Sequence, residues 1–262
     1  MNPAGDNATL RALLERASVR AFDPRALAPE VEDAILAAAL QAPTAGNMQL
    51  YTILRVHSEE TRKTLARTCD DQPFIAEAPL TLVFLADFTR WQGLYAAAGV
   101  PALAREQGIA WQGPTIADFL LCCCDAMAAA QNAVIAAQAL GVGSCYIGDI
   151  MEQYETHREL FHLPPQAFPL AMLVLGYPKG AFPAPRGRVR RPYVVHEETY
   201  QGFDGQQLLD MIRRDHAGFD AETFVRKHFL RKNGAPFFAE MTRSASVALN
   251  AFFGHDDKEE QP

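Results

Sequence analysis

Apolar and polar positions along this chain follow two periods, one helical and one of strands, and the longest uninterrupted signal lies near its middle. Residues 115–140 read as one helix that is apolar almost all the way round, through Phe119, Leu120, Leu121, the adjacent Cys122, Cys123 and Cys124, Ala126, Ala130, Val134 and Leu140. Its few polar residues, Asp118, Asp125 and Asn132, recur every seven positions and form one narrow stripe, widened by Gln131 and Gln138. A helix so sparingly polar is covered on most sides, either as the axis of a core or as a seam between two copies. It stops at Gly141-Val142-Gly143, and Ser144-Cys145-Tyr146-Ile147 then predicts a short strand ending at Gly148-Asp149.

Around this axis the pattern predicts helices over residues 9–17, 31–41, 58–69, 153–160, 206–216, 221–230 and 240–253. Pro29 and Glu30 suit a first helical turn, and Ser58 followed by Glu59 and Glu60 suits another. Ser18-Val19-Arg20-Ala21-Phe22 reads as extended. Strands are expected at 51–56, at 168–176, and at 80–86, where both faces are apolar and the strand is therefore central. Residues 87–113, with Trp91 and Trp111, read as a helical excursion with a mobile connection, residues 177–191 as a surface-following tail, and 255–262 as a frayed polar end. Helices outnumber strands without βαβ alternation, which predicts an α+β, helix-flanked sheet rather than a doubly wound one.

Composition narrows the class. With 262 residues, 49% of them hydrophobic, the chain can bury a core without staples. It reads as one domain over 1–262, with the excursion at 87–113 and a C-terminal extension at 193–262. A net charge of -7 excludes a broad nucleic-acid face. The start lacks a basic, then apolar, leader, and the strongly apolar run inside the central helix is short for a membrane span. Five cysteines, three of them adjacent, make no disulfide framework. These features together predict a cytoplasmic protein.

Missing motifs prune further. Gly141-Val142-Gly143 follows a helix and precedes a strand, the reverse of a dinucleotide fingerprint, and there is no P-loop, Cys-x-x-Cys or Gly-x-Ser-x-Gly. Adjacent cysteines on a helix point about 100° apart and do not converge on a metal. His157 and His162 read as surface or capping residues. Two basic clusters stand out. In Arg16-Ala17-Ser18-Val19-Arg20, extended geometry turns Ser18 and Arg20 together while Val19 goes to the core, and Arg16 reaches the same place. In Arg186-Gly187-Arg188-Val189-Arg190-Arg191, Arg188 and Arg190 share a side. Two such clusters in an acidic protein suit a clamp on one phosphate, because guanidinium groups offer forked donors to a dianion; ordinary solvated arginines are the plain alternative. Between them, Pro43-Thr44-Ala45-Gly46-Asn47-Met48-Gln49 offers amide groups able to read a flat heteroaromatic edge, and also suits a simple helix stop.

Taken in order, residues 16–22, 42–49, 126–148 and Leu175-Gly176-Tyr177-Pro178 with the basic tail to Pro192 resemble the nitroreductase and flavin-reductase family, most of all its oxygen-insensitive, NADPH-preferring branch. The resemblance implies an intertwined homodimer with the long helix at its interface and FMN between the subunits. It implies Arg16, Ser18, Arg20 and Arg190 near the FMN phosphate and ribityl chain, and Arg188 near the ring as an electrostatic stabiliser where the family usually has lysine. Thr44, Asn47 and Gln49 would contact the flavin from one subunit, with Gln72 reaching it as well. Tyr146, Ile147 and Gly148 would line the ring face. Asp149, beside them, replaces a customary glycine, and Ala17 replaces a customary basic residue. The implied activity is hydride transfer from NADPH through flavin N5 to a small nitroaromatic, quinone or flavin acceptor by a ping-pong route, with no side chain acting as acid or nucleophile. Arg243, or an arginine within 206–232, is the expected selector of the NADPH phosphate. A dehalogenating or flavin-modifying relative with 87–113 as its lid, a non-catalytic flavin or nucleotide sensor, and a cofactor-free dimer are the alternatives.

Overall fold

The computed structural model describes residues 7–111, 113–215 and 220–254. His216, at the end of one expected helix, and the expected frayed end at 255–262 fall outside these residues. Helix α1 (Ala8–Glu15) is capped by Asn7, whose side chain accepts the Leu10 N–H. Helix α2 (Pro29–Leu40) opens on its proline with Glu30 and Glu32 at the positive end of the dipole. A 3-10 turn, Ala45–Asn47, leads into strand β1 (Tyr51–Val56). Ser58 caps α3 (Glu59–Thr68) by accepting the Thr61 N–H, and the short α4 (Phe74–Glu77) precedes β2 (Leu80–Asp87). The excursion is helical, as α5 (Thr89–Ala97) and α6 (Val100–Glu106). Then come α7 (Ile116–Ala139), β3 (Gly143–Ile147), α8 (Tyr154–Phe161) and β4 (Ala167–Gly176). Helices α9 (Gly205–Asp215), α10 (Ala221–Arg231) and α11 (Pro236–Phe253) end the described chain. Helix α11 starts earlier than expected because a proline in the first turn forfeits no helical hydrogen bond.

The strands form one antiparallel sheet in the order β1-β2-β4-β3. All of β2 is buried, as a central strand with two apolar faces must be. Leu82 and Phe84 join Leu173 and Leu175 against α2 and α7 on one face. Val83 and Leu85 join Met172, Val174, Cys145 and Ile147 on the other, with α3 and α4. A third cluster, Phe88, Phe168 and Phe252 with Trp91 and Phe119, ties the excursion and α11 to the start of α7.

Edge strand β3 is covered by the extended segment after α1. Ser18 bridges to Ser144 in parallel and Phe22 to Pro178 antiparallel, with Val19 N–H donating to the Ser144 carbonyl at 3.0 Å. Val19 is 2% exposed, so Ser18 and Arg20 turn the other way. Glycines permit the approach: a Cβ on Gly143 would lie 2.5 Å from Val19 Cγ2, and one on Gly176 would lie 2.5 Å from Pro79 Cδ.

Helix α7 turns the middle of its polar stripe inward, Asp125 and Asn132, while Gln131 stays exposed. Asp125 is 4% exposed, and Asn132 Nδ2 donates to the Ala38 carbonyl at 3.0 Å. Asp118 completes a capping box with Thr115. The side left to solvent is largely apolar, with Leu120, Leu121 and Met127 exposed, and Leu13 and Leu14 are exposed on α1, which packs against α7. Helix α7 is also long and apolar enough to cross a membrane by length and composition, contrary to the expectation, yet Ala126, Ala129, Ala130, Ala133, Val134 and Ala137 are buried in this chain's own core. His157 is a second correction. It is fully buried, with Nδ1 3.0 Å from the Ile150 carbonyl and Nε2 2.8 Å from the Thr68 hydroxyl, and burial lowers its pKa so that it stays neutral. An apolar surround with two polar partners was not visible in the spacing to His162, which does cap α8.

Gly143→Ala forces Val19 off the edge of β3 and is expected to cost about 1–3 kcal/mol in urea unfolding, the usual penalty of overpacking. A loss near zero would mean that the segment carrying Ser18 is not held there.

Candidate functional site

Arg16 is the residue that caps α1, and the chain then runs extended beside β3, so Arg16, Ser18 and Arg20 face one cleft. The tail supplies the opposite wall with Pro183, Ala184, Arg186 and Arg188, enclosing about 240 Å³. The two basic clusters therefore converge. Among the described residues, no carboxylate lies within ion-pair distance of Arg16, Arg20, Arg186 or Arg188. Arg16 Nη1 is shut off from solvent and has no hydrogen-bond partner. Buried guanidinium nitrogens without an acceptor are costly, and several uncompensated cations in one cleft call for an anion. A phosphate monoester fits the donor set. Arg190 departs from expectation: it does not line the cleft, and its guanidinium sits 5.4 Å from the Tyr193 ring. Arg190 is still extended and caps the 3-10 helix Arg191–Tyr193, and Arg186 rather than Arg190 stands with Arg188 on the wall.

Beside this cleft lies the end of β3. Tyr146 donates to Gln131 Oε1 at 3.3 Å, and burial pushes its phenol up to about 12 against the opposing pull of Arg16. Ile147 is buried, and Gly148 starts the 3-10 turn Asp149–Met151. Gln72 Nε2 donates to Asp149 Oδ2 at 2.7 Å and to the Cys69 carbonyl at 2.9 Å. Both neighbours are acceptors, so both amide protons of Gln72 are committed and only its oxygen remains for a ligand, as an acceptor. Arg20, 6.0 Å from the Phe74 ring, ties this corner to the cleft. Glu152 was not foreseen. It is 4% exposed with Oε1 unpartnered, and burial, then Asp149, Asp70 and Glu240, push its carboxyl up to about 7.

The remaining expected residues lie elsewhere. Thr44 Oγ1 accepts the Gln49 N–H at 3.2 Å, and Gly46, Asn47 and Gln49 all take positive φ, at 54°, 57° and 51°. Asp125 Oδ1 accepts the Ala45 N–H at 2.9 Å and Oδ2 the Leu50 N–H at 3.1 Å. Gln49 lines an apolar hollow of about 520 Å³ with Leu36, Tyr51 and Arg90, which shares no residue with the arginine cleft. The loop enters β1, on one sheet edge, where Tyr51 pairs with Ala86; Ser18 borders β3, on the other edge, where Ser144 pairs with Leu175 opposite Leu80. Cleft and loop thus occupy opposite corners of one chain's sheet. Arg243, the expected phosphate selector, pairs with Glu155, at 2.8 and 2.9 Å, and with Glu240. Among the described residues, no group of histidine, cysteine and carboxylate side chains is placed to hold a metal ion.

Residues 13–177 match the model of the nitroreductase family. The chain belongs to that family. An FMN reductase (NADPH) of Bacillus subtilis is 31% identical over 196 residues, spanning 74% of this chain and 75% of that protein. The oxygen-insensitive NADPH nitroreductase of Salmonella typhimurium is 32% identical over 200 residues, spanning 76% and 78%. Among solved nitroreductase-like folds, B. megaterium NfrA1 superposes with a TM-score of 0.76 at 26% identity, covering 92% of this chain and 98% of that one. The α+β, helix-flanked antiparallel sheet is the fold of these relatives.

Glu152 holds its proton more tightly folded than unfolded, so its contribution to stability is full below the usual carboxylate range and is lost as pH rises through about 7. Glu152→Gln removes that loss. In urea unfolding the variant is expected to gain on the wild type between about pH 5 and about pH 8; parallel pH profiles would show that Glu152 is not the buried acid described.

Proposed function

We propose that this nitroreductase-family chain is an FMN-dependent oxidoreductase that takes hydride from NADPH and delivers it to small nitroaromatic, quinone or flavin acceptors. The observation that carries the reading is the arginine cleft with its unpartnered Arg16 Nη1. Two relatives named for NADPH-dependent FMN or nitro reduction, each spanning about three quarters of the chain, support donor and cofactor. The redox chemistry belongs to the flavin, and the chain supplies position and charge. Arg16, Ser18 and Arg20 hold the phosphate, with Arg186 across the cleft. Arg188 sets a fixed positive charge where reduction builds negative charge. Tyr146, Ile147 and Gly148 form the floor, Gln72 offers its oxygen, and Asp149 fixes that amide. Arg190 borders the site from outside the cleft wall. Donor and acceptor use the exposed face in turn, which is a ping-pong order.

Thr44, Asn47 and Gln49 cannot reach this cleft within one chain, so a second copy delivers them. The apolar stripe of Leu120, Leu121 and Met127 on α7, continued by Leu13 and Leu14, is the surface that copy covers. Five free cysteines fit a reducing cytoplasm. The lid of a dehalogenating relative is disfavoured, because α5 packs on the loop of residues 44–50 and the α7 aromatic cluster. A sensor differs only in turnover.

FMN titration followed by anaerobic mixing with NADPH and with NADH tests the reading: visible flavin absorbance should appear, bleach with NADPH, and return on adding menadione or nitrofurazone. A protein that takes up no FMN contradicts it, and one that binds FMN without turnover is the sensor. Arg16→Ala is expected to weaken FMN binding about 10- to 100-fold, the loss of a charge-assisted contact. Leu120→Asp with Met127→Asp should shift sedimentation from dimer to monomer and remove FMN binding together; a dimeric double variant would place the interface elsewhere.

A further inference from the structure

The loop of residues 44–50 is held from both sides by opposite charges. On the α7 side, the Asp125 carboxylate takes the Ala45 and Leu50 N–H groups, at 2.9 and 3.1 Å, and so ties both ends of the loop to one buried anion. On the α5 side, Arg90 Nη2 donates to the Gln49 carbonyl at 2.5 Å and the Tyr51 carbonyl at 3.1 Å, while Trp91 Nε1 donates to the Met48 carbonyl at 2.8 Å. The anion meets amide protons and the cation meets carbonyl oxygens. Trp91, Tyr95 and Trp111 follow in succession behind this contact, the first pair tilted and the second edge to face, with ring centroids 5.6 and 5.4 Å apart.

Between the tied points the backbone is left-handed at Gly46, Asn47 and Gln49. Glycine and asparagine take that conformation easily; glutamine keeps it only where its surroundings impose it. Asp125 has no cation within ion-pair distance among the described residues, so backbone amides are its main stabilising partners. A buried carboxylate so placed is expensive to retain for packing alone, since an apolar side chain would fill the space.

We propose that Asp125 and Arg90 are positioning residues that preset this loop, so that Asn47 and Gln49 meet the cofactor in fixed orientations, and that the excursion at 87–113 serves as the brace of the loop rather than as a cover over the site. The inference rests on the FMN reading above. Asp125→Asn keeps the volume but sets an amide NH₂ against one of the two backbone N–H groups, releasing one end of the loop. Arg90→Gln acts from the other side at an exposed residue and leaves the core intact.

The test uses the full-length wild type and both variants, stripped of FMN and reconstituted. In the stripped proteins, hydrogen exchange of the 44–52 peptide should accelerate about tenfold or more in each variant, while the β2 peptide 80–87 keeps wild-type protection. On reconstitution the FMN dissociation constant should rise about tenfold, and the visible band of the bound flavin should shift. A residue acting only on overall stability would loosen β2 as well and leave affinity and band unchanged. Faster loop exchange with FMN affinity within about twofold of wild type overturns the proposal, as does unchanged loop exchange. Should Asp125→Asn fail to fold, Arg90→Gln decides. Absence of FMN uptake by the wild type would instead remove the oxidoreductase reading itself.

Discussion

A single carboxylate carried into the interior on the flank of α7 constrains what is packed around it. Burying Asp125 without partners would cost several kcal/mol, and the two amide protons at the ends of the 44–50 loop are what offset that cost. The helix is thereby locked about its own axis, with Asp125 and Asn132 inward and the leucines and Met127 outward. Rotation that hid the apolar side would break the loop. The same contact therefore shapes the 44–50 loop and leaves exposed the apolar surface that the proposed second copy would cover.

The arginine cleft depends on close approach rather than charge. Gly143 and Gly176 have no side chains, so the segment of residues 18–22 lies directly on the edge of β3, and Val19 is locked in the core. With Val19 inward, the two-residue alternation leaves Ser18 and Arg20 no direction but the cleft. The tail that returns past Tyr177 brings Arg186 and Arg188 opposite, through Lys179 N–H to the Ala21 carbonyl and Asp23 N–H to the Tyr177 carbonyl. Four guanidinium groups, with no carboxylate at ion-pair distance among the described residues, then form a field suited to an anion.

Strands were legible because their ends are punctuated. Residues 51–56 stand between a glycine-containing loop and a Ser-Glu-Glu start, and the apolar run from Leu80 lies after Pro79, so pattern and structure agree there. That Ser18 and Arg20 share a side was also readable from extended geometry, and two basic clusters in an acidic chain pointed to the convergence of Arg16, Arg20 and Arg188. What escaped was the destination of polar residues. Asp125 carries no local mark of burial, because its partners are backbone amides some eighty positions earlier. His157 was hidden for the same reason, its partner Thr68 lying on α3. Arg243 pairs with Glu155, 88 positions earlier, and Arg190 lies outside the cleft although its backbone is extended, neither of which local sequence marks. Arg90 and Trp91, within the least regular stretch, act through backbone carbonyls that have no sequence signature.

The central physical claim is that cleft and loop, at opposite corners of one chain, belong to one site only when two copies meet. The direct measurement is subunit complementation: Arg16→Ala/Arg20→Ala chains and Asn47→Ala/Gln49→Ala chains, each unable to hold FMN tightly, are unfolded, mixed in equal amounts and refolded together. Random pairing makes half of the dimers mixed, each with one intact site, so tight FMN binding should return to about a quarter of all sites. No recovery above that of either variant refolded alone would contradict a site shared between subunits.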